Sequence, residues 1–210
     1  MLWIALAAAA QLSAPVPTNL GKWFSYEDVP SYLLEKESGL WLVGVRINVA
    51  SDGTVPNCAA EKSSGVADLD KLTCAIVLRR AKFSPARSID GSVSSGVYRD
   101  SVQWSVGDAA ADRLSISNPD LDIFVQSLPS KEKSPTLVRV MFAVDETGSK
   151  SSCMAEPSPA FEKTSNNPAL VSVACEQVMN GYNATPAKDG SGKAVASVQD
   201  ALVRFSVKRQ

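Results

Sequence analysis

Two stretches of this chain repeat one another, and that duplication limits what it can fold into. In the first, Gly53 is followed five positions on by Cys58. A helical run then carries Cys74, and Pro85-Ala86 stand eleven and twelve positions beyond that cysteine. In the second, Gly148 precedes Cys153 by five, Cys175 lies on a helical run, and Pro186-Ala187 again follow at eleven and twelve. The flanks agree as well: Trp104 lies thirteen residues after Gly91, and Phe205 thirteen after Gly192. The pattern predicts two tandem units of roughly 80 to 90 residues, a size at which a hydrophobic core is modest and a covalent staple is useful.

Each unit carries one cysteine pair. Read as disulfides, Cys58 with Cys74 and Cys153 with Cys175, the pairs imply an oxidising compartment. Buried thiols and a four-cysteine metal site are the alternatives. Zinc ligands usually come in close Cys-x-x-Cys pairs, unlike the separations of 16 and 22 found here. The chain has no histidine, which removes histidine-based triads, general bases and metal ligands. A net charge of −1 with no long run of one sign gives no nucleic-acid surface.

Residues 1–14 read as a signal-like segment. The apolar run is too short to span a bilayer, which needs about 20 residues. The positive stretch that normally opens a signal is missing, so the true start is expected upstream of Met1. Ala8 and Ala10 offer a small-x-small cleavage site before Gln11, and Ala14 a poorer one because Pro15 follows. The alternative is a buried N-terminal helix.

Residues 22–107 form the expected first domain. Pro15 to Gly21 reads as linker, and Asp28 as the cap of a short helix through about Lys36, with Pro30 in its first turn. Trp41, Val43, Val45, Ile47 and Val49 alternate on one face of a strand, and Asp52-Gly53 signals a hairpin. The return strand, about Thr54 to Lys62, holds Cys58 and ends at Ser63-Ser64-Gly65. A helix over Ala67 to Ala81 is expected to bury Leu69, Leu72 and Ile76 and to stop before Pro85. The last strand, about Gly96 to Val106, puts Tyr98, Val102, Trp104 and Val106 on one face.

Residues 108–135 read as a polar linker, with Leu121 to Leu128 expected as a short helix. The second domain, 136–210, replays the scheme. Val138, Val140, Phe142 and Val144 share one strand face, and Asn167-Pro168 starts a helix that Gly181 ends. Ala201, Val203, Phe205 and Val207 line the core face of the final strand. The return strand is followed by an enlarged loop, Glu156 to Asn167.

The chemistry-bearing patterns are weak. Asp189-Gly-Ser-Gly-Lys193 lacks the leading glycine of a phosphate loop and precedes a strand, so it reads as a β-loop. Ser130 and Lys133 make a Ser-x-x-Lys spacing outside the helical setting it needs. Asn183-Ala-Thr185 is a glycosylation sequon only in a eukaryotic host. No catalytic, cofactor or metal constellation emerges. What the strand–strand–helix–strand plan offers is edges, which take extended peptides by β-augmentation.

The run from Asp28-Val29-Pro30 through Gly53, Ser63-Ser64-Gly65, Leu69, Phe83-x-Pro85-Ala86, Gly91 and Trp104 resembles a TonB C-terminal domain. The likeness covers about residues 26 to 106 well. It covers 120 to 207 more weakly, where Ser-Ser-Gly is absent and Ala184 replaces the phenylalanine. The resemblance implies an α+β fold: two TonB-C-like domains, each a three-stranded antiparallel sheet with a packed helix in β-β-α-β order, the first preceded by a short helix. It further implies a non-enzymatic periplasmic module that binds a peptide or envelope partner, an outer-membrane receptor among the candidates, at the last strand of a copy. That strand is Tyr98 to Val106, with Val102 and Trp104, or Gln199 to Val207, with Val203 and Phe205. The family's spanning helix and Pro-Glu/Pro-Lys spacer do not occur in these residues. A structural or peptidoglycan-associated envelope protein is the alternative expectation, and an unrecognised hydrolase a further one.

Overall fold

The computed structural model describes residues 11–108, 119–156 and 163–208. The signal-like run as far as Ala10 and part of the expected linker lie outside them. The first copy runs β1 (Val16–Pro17), two 3-10 turns (Leu20–Lys22 and Tyr26–Asp28), α1 (Ser31–Leu34), β2 (Gly39–Val49) and β3 (Asn57–Lys62). It continues with α2 (Ala67–Arg80), β4 (Phe83–Ser84), β5 (Ala86–Arg87) and β6 (Val93–Val106). After β7 (Leu121–Val125), the second copy supplies β8 (Thr136–Val144), β9 (Lys150–Ala155), α3 (Pro168–Gly181), β10 (Ala187–Lys188), β11 (Ala194–Val195) and β12 (Ser197–Val207). The chain is therefore α+β, and each copy has the strand–strand–helix–strand order.

Local chemistry explains the main elements. Apolar residues at every second position of β2 and β8 pack beneath a helix, while Gly44, Arg46 and Asn48 of β2 and Arg139, Met141 and Ala143 of β8 face the other side of the sheet. Ser63-Ser64-Gly65 turns the chain into α2 because Asp70, in the first helical turn, accepts from Ser63 Oγ (2.5 Å), Ser64 N (2.9 Å) and Ser64 Oγ (2.7 Å). The same carboxylate favours the positive helix end, as Arg79 and Arg80 favour the other. The α3 cap is Asn167, whose side chain accepts from Ala169 N at 3.0 Å, with Pro168 at the first helical position.

Several expectations are corrected. Asp28 does not cap a helix to Lys36: it closes a 3-10 turn as the acid of a capping box with Ser25 and pairs with Arg80 through two bonds of 2.6 and 2.9 Å. Pro30 disfavours helical backbone at the preceding Val29, which is extended, and α1 lasts a single turn. In α2 the buried side is Leu69, Thr73, Ile76 and Val77, with Leu72 only half-buried. The segment Leu121–Val125 is a strand, not a helix. Leu121, Ile123 and Val125 alternate with the outward Asp122 and Phe124, and the inner three pack on the second core. Residues 15–21 are not free linker: Val16 and Pro17 pair with Ser84 and Phe83.

The largest correction concerns the sheets. The copies do not hold two independent three-stranded sheets. Their last strands meet, and one sheet runs β3-β2-β6-β12-β8-β9, with β7 added beside β12 and β5 beside β6. The junction is short and parallel, Ser95 with Ser197 and Gly96 with Val198. Gly96 is needed there, since a Cβ would lie 2.8 Å from Pro15 Cδ and 3.0 Å from Ala86 Cβ.

The junction also sets the two cores on opposite sides. Val198 shares a face with Gly96 and hence, by strand alternation, with Tyr98 and Trp104. Val203 and Phe205 point to the other face. So α2 covers one side of the first half, around Trp23, Val43, Val45, Ile47 and Trp104, while α3 covers the reverse side of the second half, around Val138, Val140, Phe142, Val203 and Phe205. Each half thus leaves one sheet face without its own helix, and near the seam the other half supplies cover. From the first copy, Ala86 joins Met141 and Val198 of the second, together with Leu12, in a third small core. From the second copy, the Thr185 carbonyl accepts from Arg46 and the Lys188 carbonyl from Asn48 of the first.

Candidate functional site

The four cysteines are paired as the duplication suggests. Cys58–Cys74 and Cys153–Cys175 are disulfides, with Cα atoms 5.4 and 5.6 Å apart, and each ties an outer strand (β3 or β9) to its helix. Intramolecular disulfides belong with folding in an oxidising compartment.

A network of charged groups gathers where the two copies join. Arg99 is its centre. Its Nη1 donates to the Asp200 carbonyl at 2.9 Å, its Nη2 to the Tyr182 hydroxyl at 3.0 Å and its Nε to Glu61 at 3.2 Å. Beside it on β2, Arg46 reaches Glu61 at 3.5 Å, Asn48 at 2.9 Å and the Thr185 carbonyl at 2.8 Å. From β8, Arg139 bonds the Asp200 carboxylate and lies 3.9 Å from Glu156. Asp100 accepts from Tyr98 Oη at 3.1 Å and from Ser101 N at 2.7 Å, and Asp120 accepts from Leu202 N at 2.8 Å.

The electrostatics follow from burial. Burial raises the Asp100 carboxyl above the ordinary carboxylate range, against the opposing pull of the Ser101 N–H and the Tyr98 hydroxyl. Burial likewise raises Asp120, against its bond from Leu202 N–H. Burial and the neighbouring Arg99 both disfavour the charge on Arg46. For Arg99 burial also opposes the charge, but nearby acids, Asp200 first, more than offset it. Guanidinium groups stay protonated in proteins and serve as hydrogen-bonding clamps rather than proton carriers. Arg46 and Arg99 are engaged with groups on both copies, and Arg139 holds the Asp200 carboxylate beside them, so the network holds the two halves in register. Among the described residues no three Cys, Asp or Glu side chains gather so as to hold a metal ion. No helix among them is long and apolar enough to cross a membrane.

The two candidate edges fare differently. Gln199 to Val207 is not an edge. On one side β12 pairs with β8 from Ser197 to Phe205. On the other, its junction with β6 is followed by Arg99 on the Asp200 carbonyl, by a two-way contact between Leu202 and Asp120, and by parallel pairing with β7 from Val203 to Val207. Val203 and Phe205 are fully buried within this arrangement. By contrast, β6 pairs with β2 along its length from Gly96 to Val106, and beyond Gly96 no described strand pairs with its other side. Tyr98, Val102 and Trp104 lie on this strand with side chains turned to the first core. Tyr98 stacks edge-on to Phe83 at 5.2 Å, and Trp104 Nε1 donates to Thr73 Oγ1 at 2.9 Å.

Among the described residues no strand pairs with the outer side of β3 or β9 either, but both are only six residues long and adjoin a register shift in the pairing. Lys62 ends one and Lys150 starts the other. Short strands, bulges and lysines are the usual means of blunting an edge against pairing.

Sequence reasoning missed the seam network. Arg46 and Asn48 fall on the face of β2 opposite its apolar one, and Arg99-Asp100 interrupt an otherwise ordinary strand. The one available signal was that charge inside a strand whose partner was unknown. No family model matches the chain, nor does any curated protein or solved structure.

Proposed function

We propose that this protein is a non-enzymatic envelope module of TonB-C-like type, exported to a Gram-negative periplasm, that takes an extended peptide as an added strand on β6. The observation that carries the reading is that, among the described residues, no strand pairs with the outer side of β6 beyond Arg99, while the outermost strands β3 and β9 are short and blunted. Added strands gain affinity from backbone hydrogen bonds and specificity from flanking side chains. The two disulfides support an oxidising compartment. The Ser-Ser-Gly turn held by Asp70 and the Phe83-x-Pro85-Ala86 exit support the family resemblance on the first copy.

Ser101 provides the test. It is exposed, and its N–H is held by the Asp100 side chain. Ser101→Pro is therefore expected to leave the β2–β6 pairing in place while removing a donor from the free edge. Synthetic peptides copied from the N-terminal segments of outer-membrane receptors are titrated calorimetrically into the protein and into this variant, whose fold is checked by near-ultraviolet circular dichroism. The reading predicts binding by the protein and loss of at least tenfold in affinity by the folded variant. Absence of binding, or equal binding by both, contradicts it.

A further inference from the structure

We infer that the peptide taken on β6 is inserted between two edges rather than added to one: it pairs with β6 on one side and with β7 on the other, and one of its apolar side chains covers Phe124. The inference rests on the peptide-binding reading and adds to it a second edge and a side-chain preference.

The sheet forks at the seam. Strands β6 and β7 both pair parallel to β12, and both lie on the side of it that β8 does not occupy. Strand β6 leaves after Gly96 and Val198, and β7 takes its place from Val203 onward. Side chains hold the β12 backbone between these points. The Asp200 carbonyl accepts from Arg99 Nη1 at 2.9 Å, and Leu202 N donates to the Asp120 carboxylate at 2.8 Å. Beyond the fork, among the described residues, no strand pairs with the outer side of β6 or with the side of β7 away from β12. In sheet order these two unpaired sides are neighbours.

The backbone groups on those sides follow from the pairing. Lys208 N donates to the Val125 carbonyl at 3.2 Å, so Val125 and, by alternation, Ile123 turn their backbone groups to β12. Those of Asp122 and Phe124 point away from it. On β6 the Ser101 N–H, taken by the Asp100 side chain, marks Ser101, Gln103 and Ser105 as the outward set. Because β6 and β7 run the same way, one peptide meets both in the same sense. Pairing on both sides sets the two strands about 10 Å apart, twice the spacing of neighbouring strands.

Side chains set the preference. Leu121, Ile123 and Val125 pack on the second core, which leaves Asp122 and Phe124 on the opposite face. Arg204 holds Asp122 through bonds of 2.6 and 3.0 Å, so that pair presents no net charge, while Phe124 beside it is 63% exposed. By strand alternation from the junction, the same face of β6 carries the half-buried Val102. An apolar residue of the inserted strand lies between Val102 and Phe124 and removes both from water, as apolar and aromatic cross-strand neighbours do. The adjacent peptide positions, on the other face, meet Ser101 and Gln103 and suit polar side chains. The partner is therefore an extended segment of alternating apolar and polar residues, with five of them facing β7.

The receptor-segment peptides are added at saturation to isotope-labelled protein, and amide exchange is followed by NMR. Protection is expected at Asp122 and Phe124 of β7 together with Ser101, Gln103 and Ser105 of β6. Phe124→Ser is expected to weaken peptide binding about fivefold, and Phe124→Leu to preserve it. Protection on β6 alone, with Phe124→Ser binding as tightly as the parent, overturns the insertion and leaves binding at the β6 edge standing. Protection on both strands with Phe124→Ser unchanged overturns the apolar contact. A peptide that leaves β6 unprotected overturns the insertion and the edge reading together. The exchange measurement uses the unaltered chain, so it decides the matter even where Phe124→Ser fails to fold.

Discussion

Trp104 and Phe205 hold the same place in the two repeats and lie on opposite faces of one sheet. By the repeat, Ser197 corresponds to Gly96; in the sheet it pairs with Ser95. That slip of one residue reverses every side chain of the second copy relative to the first, and it sends α2 and α3 to opposite sides. The duplication therefore buries its two cores on opposite faces of the two halves of one sheet, with the junction stitched by charged groups.

The bond from Trp104 Nε1 to Thr73 Oγ1 lies within the first core, and Thr73 in turn donates to the Leu69 carbonyl at 2.7 Å. Thr73→Val leaves the indole donor buried without its partner and is expected to cost about 1–3 kcal/mol. Trp104→Phe should cost a comparable amount. Because both substitutions break the same bond, the double variant should lose less than the sum, as measured by urea unfolding.

Gly53 and Gly148 are matching turn residues with φ of +82° and +90°. A Cβ on Gly53 would lie 2.2 Å from the Phe83 carbonyl oxygen, and one on Gly148 would lie 3.2 Å from the matching Ala184 oxygen. Both alanine variants carry the cost of left-handed backbone, about 1–2 kcal/mol. Gly53→Ala adds a backbone collision and is expected to lose several kcal/mol more, on the order of the largest single-residue effects. Thermal unfolding of the pair should rank Gly53→Ala well below Gly148→Ala.

The disulfides anchor the blunted outer strands. Replacing Cys58 and Cys74 together by alanine opens a link across 16 residues, for which chain entropy gives about 3 kcal/mol. The Cys153–Cys175 link spans 22 residues and should contribute slightly more. Chemical unfolding of each double variant under non-reducing conditions measures both.

The pH dependence has two opposing parts. Asp28 is held below its ordinary value chiefly by its bonds from Arg80, so its contribution is present at neutral pH and is lost as pH falls below about 4. Asp100 and Asp120 are raised by burial, so the folded state binds protons there more readily than the unfolded chain. Their ionisation lowers stability as pH rises from about 4 through their raised values. Asp28→Asn should therefore destabilise at pH 7 and converge with the parent in acid. Asp100→Asn should lessen the loss of stability between pH 4 and 7. Unfolding midpoints across pH 3–8 test both signs.

Much of each copy was legible in the sequence because its forces are local. Apolar residues at every second position mark β2 and β8, Asn167-Pro168 marks the start of α3, and the cysteine spacing pairs strand with helix. The joined sheet was not legible, because nothing in the sequence of β6 or β12 marks which strand will lie beside it. The parity of their pairing depends on a contact between residues about a hundred positions apart. The strand β7 was misread although Leu121, Ile123 and Val125 alternate, since a polar setting and Pro119 suggested a helix start. Arg46, Arg99 and Arg139 occupy strand positions with no sequence mark of their own, and it is the junction that brings them together.

The free side of β6 is the claim on which the functional account depends. Amide hydrogen exchange, read residue by residue by NMR with and without a saturating receptor peptide, tests it directly. The account predicts new protection at alternate residues between Ser101 and Val106, with β3, β9 and β12 unchanged. Protection appearing on β3 or β9 instead, or no change anywhere on β6, would contradict it.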